Sequence, residues 1–180
     1  KATEFLLFRQ KELDFINDIE ASFKDEVLTK AGTLHKEWEG KIRLISSPYL
    51  NIEYLGLLMD TTNPLIANSP TRFKKIRQAI NYGFDRQKMV LYLRNSLGTA
   101  AESGFVPAGL PSFDPSAVKG YHYDPVKSRS LLKEAGFPEG SGLPVIKLLT
   151  IALYADMADF IAKQLDEIGI PVQVETVQKA

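Results

Sequence analysis

The feature that most constrains this chain is a strand, helix and strand pattern near its end. Val145-Ile-Lys-Leu-Leu-Thr-Ile151 is a short, nearly continuous apolar run, the length and character of a buried strand. Ala158, Ile161, Ala162, Leu165 and Ile168 then recur at helical spacing and define one apolar face. Gly169 suits the left-handed position that ends a helix, with Ile170 placed to fold back on Leu165. Ile170, Val172 and Val174 alternate with Pro171, Gln173 and Glu175, so the chain re-enters a sheet with one face buried. Elements in this order predict a right-handed crossover with parallel pairing.

Upstream punctuation extends the pattern. Asp124-Pro125 supplies an N-cap and a first-turn proline, Leu131, Leu132 and Ala135 form an apolar stripe, and Gly136-Phe137 gives the stop. Phe73, Ile76, Ala79 and Ile80 carry another helix that breaks near Gly83, and Asp85 is placed to cap a further one bearing Met89, Val90 and Leu93. Lys41 to Ser46 and Ile52 to Met59 read as strands joined by Ser47 to Asn51. The first forty residues predict short helices around Phe5 to Phe8, Phe23 to Leu28 and Leu34 to Trp38, with a strand at Leu13 to Ile16. The Gly- and Pro-rich stretch from Gly98 to Tyr123 is too long for a mere connector. Helices interleaved with strands predict an α/β fold, with a mixed sheet flanked by helices.

At 180 residues and 44% hydrophobic content, the expected unit is one domain spanning residues 1–180. The chain opens on Lys1-Ala2-Thr3, and Val172 to Ala180 reads as a strand with nothing folded after it. Both ends thus read as cuts in a longer protein. The 22 Lys and Arg residues balance the 22 Asp and Glu residues, so net charge favours no nucleic acid or anionic membrane partner. Cysteine is absent, which removes disulfides, thiolate nucleophiles and cysteine metal sites.

Reactive chemistry finds little footing. No Gly-x-x-x-x-Gly-Lys-Ser/Thr loop occurs, and Gly140-Ser141-Gly142 lacks the strand-before, helix-after setting of a dinucleotide loop, so it reads as a turn. No serine sits in a Gly-x-Ser-x-Gly elbow. His35 and His122 stand far apart without a carboxylate pattern beside either, and no metal site is predicted. Asp14, Asp18, Glu20, Asp25 and Glu26 lack the ordering of a calcium loop and read as a solvated face. Asp85-Arg86 reads as a cap with a helix-surface partner rather than a catalytic pair. No catalytic residue and no cofactor is therefore expected. What remains is aromatic content near loops, at Tyr49, Tyr54, Phe105, Phe113, Tyr121 and Tyr123. Such residues line clefts because they give large contact area at low rotamer cost, and they equally fill small cores.

Four segments then share a common likeness. Phe73-Lys-Lys-Ile-Arg-Gln-Ala-Ile-Asn-Tyr-Gly-Phe-Asp-Arg-Gln-Lys-Met-Val90 resembles the "V-R-x-A-(I/L)-x-x-A-(I/F)-D-R-x-x-(I/L)-V" signature of the peptide/nickel-binding family of extracytoplasmic solute-binding proteins. Ile76, Arg77, Ala79, Ile80, Asp85, Arg86 and Val90 match, and Gly83 replaces the common alanine. Val106-Pro107 through Phe113-Asp114-Pro115 is similar to the family's "v-P-x-g-x-p-g-y-d" loop. Tyr123-Asp124-Pro125 with Leu131 to Phe137 resembles its "L-L-x-e-A-G-(Y/F)" helix, and Ile161 to Val174 its "q-L-x-x-(I/L)-G-I-x-v" segment. Together they cover roughly Pro70 to Val174. More loosely, Arg9 to Ile16 resembles "l-x-s-G-e-l-D-i", with Lys11 where glycine is usual, and Tyr54-Leu55-Gly56-Leu57 resembles the "y-l-x-f-N" strand.

The resemblance implies one lobe, the second large one, of a bilobed periplasmic-binding-protein clamshell of type II. A ligand would be held between lobes that close about a hinge, and the closed form would dock on the permease of an ABC importer. It implies a periplasmic or lipid-anchored home on the outer face of the cytoplasmic membrane, with a peptide or other small solute as ligand. The expected partners are that solute, the permease and the first lobe of the same protein. In peptide-binding members an acidic residue that pairs with the ligand's amine lies past the last matched strand, in a Gly-Trp segment beyond Ala180. The ligand-binding residues expected within this chain are Tyr49, Asn51 and Tyr54, because a turn preceding a sheet strand can face the cleft between lobes. A sensory or interaction domain, or a small α/β enzyme, are the competing readings.

Overall fold

A computed structural model describes residues 2–19, 21–60 and 62–178. Their contacts gather into two compact units, residues 1–49 with 87–100, and residues 50–86 with 101–180.

The first unit is built on α1 (Ala2–Arg9) and α2 (Ala21–Val27). Phe5, Val27 and Leu28 are buried at its centre, with Ile16, Phe23, Leu34, Trp38 and Leu97 packed around them. The Phe5 ring lies 4.8 Å from Phe23 and 6.3 Å from Trp38. The Trp38 indole N–H donates to the Glu26 carbonyl at 3.1 Å, which satisfies the one polar atom that this large ring brings inward. A bridge between Leu28 and Leu34 closes a tight reversal. Asn95, 2% exposed, is buried against this reversal. Its amide donates to the Asp25 carboxylate at 2.7 Å and to the Leu28 carbonyl at 3.2 Å. Its φ of +48° is one that asparagine tolerates better than most residues.

Helix α1 ends in a tight left-handed stop, but on an unusual residue. Glu12 N–H returns to Leu7 O at 2.9 Å and Lys11 N–H to Phe8 O at 3.0 Å, the paired bonds of a Schellman stop. Lys11 stands in the left-handed position with φ +63°. Glycine is favoured there because a Cβ clashes in that conformation.

The second unit holds α3 (Pro64–Ala67), α4 (Lys74–Tyr82), α6 (Pro125–Glu134), β1 (Ile146–Thr150), α7 (Ala155–Asp166) and β2 (Val172–Thr176). Helix α5 (Arg86–Arg94) lies between α4 and α6 in sequence, its first residue in this unit and the remainder in the first. α4 buries Ile76, Ala79 and Ile80, and α6, packed against it, buries Ser128, Leu131 and Leu132. The two helices also share polar closure. The Ser128 hydroxyl, fully buried, donates to Ala79 O at 2.7 Å, and Asp124 N–H donates to Tyr82 O at 2.9 Å. Both acceptors lie in the last turn of α4, where carbonyls lack an intrahelical partner. Asp124 itself caps α6 by accepting from Lys127 N–H at 2.8 Å.

The predicted strand, helix and strand are all present. β1 and β2 pair in parallel, from Ile146 with Val172 to Thr150 with Thr176. α7 lies against both strands and buries Ala158, Ile161 and Leu165. The stop after α7 is a second Schellman arrangement, with Gly169 at φ +90° and Ile170 N–H on Leu165 O at 2.9 Å. Gly83 needs no positive φ; a Cβ there would stand 2.6 Å from both Leu165 Cδ2 and Ile168 Cδ1. The missing side chain at Gly83 lets the end of α4 sit close on the end of α7.

Three strand expectations are corrected. Leu13–Ile16, Lys41–Ser46 and Ile52–Met59 form no ladder among the described residues. Alternation makes a segment able to pair, but a strand exists only where a neighbour accepts and donates its hydrogen bonds. The mixed sheet is accordingly represented, among the described residues, by the parallel β1–β2 pair. Leu34–Trp38 likewise is not a helix: Leu34 bridges Leu28, and turns follow from Lys36. The strand expected from Val172 onward stops at Thr176, and Lys179 and Ala180, like Lys1 and Glu20, lie outside the described residues.

Candidate ligand-facing surface

The long stretch from Gly98 to Tyr123 is a loop, as its composition implies, and it is closed on itself. Gly120 N–H donates to Glu102 O at 3.0 Å, and a Cβ on Gly120 would come within 2.8 Å of the Glu102 carbonyl carbon. Further along, Asp114 accepts from Ser116 N–H at 2.8 Å and from its hydroxyl. These bonds hold the Asp114 carboxyl below its ordinary pKa, with the hydroxyl the largest cause. The closure leaves Phe105 projecting and 70% exposed.

Tyr54 meets Phe105 edge-on, with centroids 5.6 Å apart and rings at 70°, and is itself 71% exposed. Two large aromatics thus sit together with most of their surface in water. Asn51 is exposed on the same extended segment. Tyr49 is 85% exposed and belongs to the first unit, whereas Asn51 and Tyr54 belong to the second. The strand that was to present these residues is absent, so they stand on irregular chain.

A second feature was not singled out from sequence. Beyond the carboxyl ends of β1 and β2 lies an open, mostly apolar recess of about 480 Å³, lined by Ile151, Ala152, Leu153, Thr176, Val177 and Gln178. Val177 N–H donates to Thr150 O at 2.7 Å, so the ladder runs to the recess edge. In open α/β sheets, ligands bind outside the carboxyl ends of parallel strands. The strand pattern itself, followed to its ends, carries that signal.

The groups most easily mistaken for catalysts are held in structural roles. The Arg86 guanidinium lies 4.1 Å over the Phe84 ring and donates to Asn81 O at 2.9 Å and Asn81 Oδ1 at 3.1 Å. Burial pushes its pKa down, and the Glu102 charge opposes that shift. Asp85 N–H donates to the Gln164 side chain at 2.6 Å, tying the turn between α4 and α5 to α7. Asp25 pairs with Lys30 at 2.6 Å and Glu26 with Arg9 at 3.0 Å. His122 meets the Tyr82 ring edge-on at 5.9 Å. Among the described residues, no three His, Asp or Glu side chains gather as a metal site would require. No helix among them is long and apolar enough to cross a membrane.

The arrangement of α4, α6, α7 and the parallel pair is that of periplasmic-binding-protein receptors of type II. It superposes on the ABC transporter-associated periplasmic binding protein DppA from Helicobacter pylori, in complex with peptide STSA. The TM-score is 0.66 at 21% identity, over 98% of this chain and 31% of that one. NikA from Brucella suis, in complex with Fe(III)-EDTA, gives a TM-score of 0.55 at 25% identity over 67% of this chain and 25% of its own. Residues 1–180 match the middle region of the bacterial extracellular solute-binding proteins, family 5, and the chain belongs to that family. The glutathione-binding protein GsiB of Shigella flexneri serotype 5b is 30% identical over 155 residues, 86% of this chain. The chain spans about 28% of that relative's length.

Proposed function

We propose that this chain is part of the substrate-binding component of an ABC importer, one that captures peptides or related small solutes outside the cytoplasmic membrane and delivers them to the permease. The observation that carries the reading is the family match over residues 1–180. The fold adds a recess at the carboxyl ends of the parallel strands, the side on which open α/β sheets take ligands. The chain contributes to one lobe of a longer bilobed protein, periplasmic or lipid-anchored, and works by binding rather than catalysis. Tyr49, Asn51 and Tyr54 face the ligand, with the Tyr54–Phe105 pair as an aromatic wall.

Calorimetry on the full-length receptor tests this, with glutathione and a dipeptide panel as probes. Tyr54→Ala is expected to weaken the best ligand about tenfold, as loss of a buried aromatic contact does. Unchanged affinity in Tyr49→Ala, Asn51→Ala and Tyr54→Ala would remove these residues from the site. Failure of any peptide, chelate or sugar to bind would remove the function. The isolated 180-residue chain is expected to bind weakly, because half a cleft leaves one ligand face in water while the ordering cost of association remains. Micromolar binding by the chain alone would contradict this.

A further inference from the structure

Asn95 closes the first unit with its side-chain amide, and the residue that follows it makes that amide chemically labile. Asn95 Nδ2 donates to Asp25 Oδ1 at 2.7 Å, Leu28 O at 3.2 Å and Thr29 O at 3.4 Å. The Ser96 hydroxyl adds a bond to Lys30 O at 2.7 Å, and Asn95 and Ser96 both stand at positive φ, +48° and +57°. All of these residues belong to the first unit, so the enclosure does not depend on polypeptide outside this chain.

An asparagine followed by a small residue such as serine is prone to spontaneous deamidation. The Ser96 backbone nitrogen attacks Asn95 Cγ, a C–N bond forms, and the Cγ–Nδ2 bond breaks. The departing nitrogen takes the Ser96 N–H proton and leaves as ammonia, and the cyclic imide adds water to give aspartate or isoaspartate. In the fold both reacting groups are occupied. Ser96 N–H donates to Val90 O at 3.2 Å, and Nδ2 is shared among three oxygens. At 2% exposure, Asn95 is also shut off from the water that would remove the proton.

We propose that Asn95 is a deamidation site that folding of the first unit seals and unfolding opens. The product cannot resume the same place. An ionised acid at position 95 has no proton to donate, and it would face the Asp25 carboxylate and the Leu28 and Thr29 carbonyls at a buried position. Isoaspartate also lengthens the backbone by one carbon, which draws the Ser96 hydroxyl away from Lys30 O. Each unfolding event therefore exposes the unit to a covalent mark that blocks its return.

Peptide mapping by mass spectrometry tests this on the full-length receptor, held in mildly alkaline buffer with and without concentrated guanidinium. In guanidinium, Asn95 should convert at a rate comparable to Asn68, which is also followed by serine. In the folded receptor, conversion at Asn95 should be slower by about a hundredfold, because it waits on opening of the unit. Asp25→Ala removes one acceptor at an exposed residue; it should raise the folded-state rate several-fold and leave the guanidinium rate unchanged. When aged receptor is refolded and its native monomer separated by size exclusion, that fraction should be depleted in molecules modified at Asn95. Equal rates in folded and unfolded receptor would overturn the proposal, as would an Asn95 far slower than Asn68 in guanidinium. A folded-state rate untouched by Asp25→Ala, or modified molecules returning to the native fraction in their full share, would do the same.

Discussion

The tightest constraint in the second unit is the approach of two glycine backbones, and it can be tested by adding one carbon. Gly140 ends the short turn Pro138–Gly140 with φ +77°. A Cβ built there would overlap the Gly169 carbonyl, standing 2.7 Å from its carbon and 2.9 Å from its Cα. Gly169 cannot easily retreat. Its N–H holds Asp166 O at 3.0 Å, and the next N–H closes α7 onto Leu165. Gly136 is the internal control, because it also has positive φ, +92°, yet a Cβ there would meet nothing within 4 Å. Gly136→Ala should therefore cost only left-handed strain, about 1–2 kcal/mol. Gly140→Ala should cost that plus about 1–3 kcal/mol for forced backbone displacement. With a urea dependence of about 1–3 kcal/mol per molar, the extra term moves the midpoint by roughly 1 M. Urea titrations of both variants, followed by far-UV circular dichroism, would measure the difference. Equal midpoints would refute the reasoning, since they would mean that Gly140 is held by its φ alone and that the two backbones do not meet.

Two further outcomes concern the first unit, which the single tryptophan, Trp38, reports by fluorescence. Lys11→Gly should stabilise it by about 0.5–1 kcal/mol, relief of left-handed strain exceeding the added chain entropy of glycine; a loss of stability would show that Lys11 makes contacts worth more than its strain. The Asp25 carboxyl is held below its ordinary pKa, first by the Lys30 hydrogen bond and then by Asn95. A depressed folded pKa stabilises above the unfolded value and loses that contribution as pH falls through the folded one. The Trp38 melting midpoint should therefore drop as pH falls below about 4, and Asp25→Asn should flatten that slope. An identical slope in the variant would exclude Asp25 as its source.

What the chain determines by itself is local. Asp124-Pro125, Gly136-Phe137 and Gly169-Ile170 set where helices begin and end because caps and stops depend on hydrogen bonds within a few residues. The apolar faces of α4, α6 and α7 follow from spacing alone. Tertiary structure decided the rest. Whether Ile52–Met59 is a strand depends on a partner that no local rule supplies, and the tolerance of Gly83 and Gly140 depends on Ile168 and Gly169, distant in sequence. The burial of Asn95 beneath Leu28 and Asp25 had no sequence signal, because a polar residue is buried only where folding brings carbonyl and carboxylate acceptors to it. The exposed surfaces followed the same division: Tyr54 stood out as a residue type, but its pairing with Phe105, and the recess where two parallel strands end together, exist only once the chain has folded back on itself.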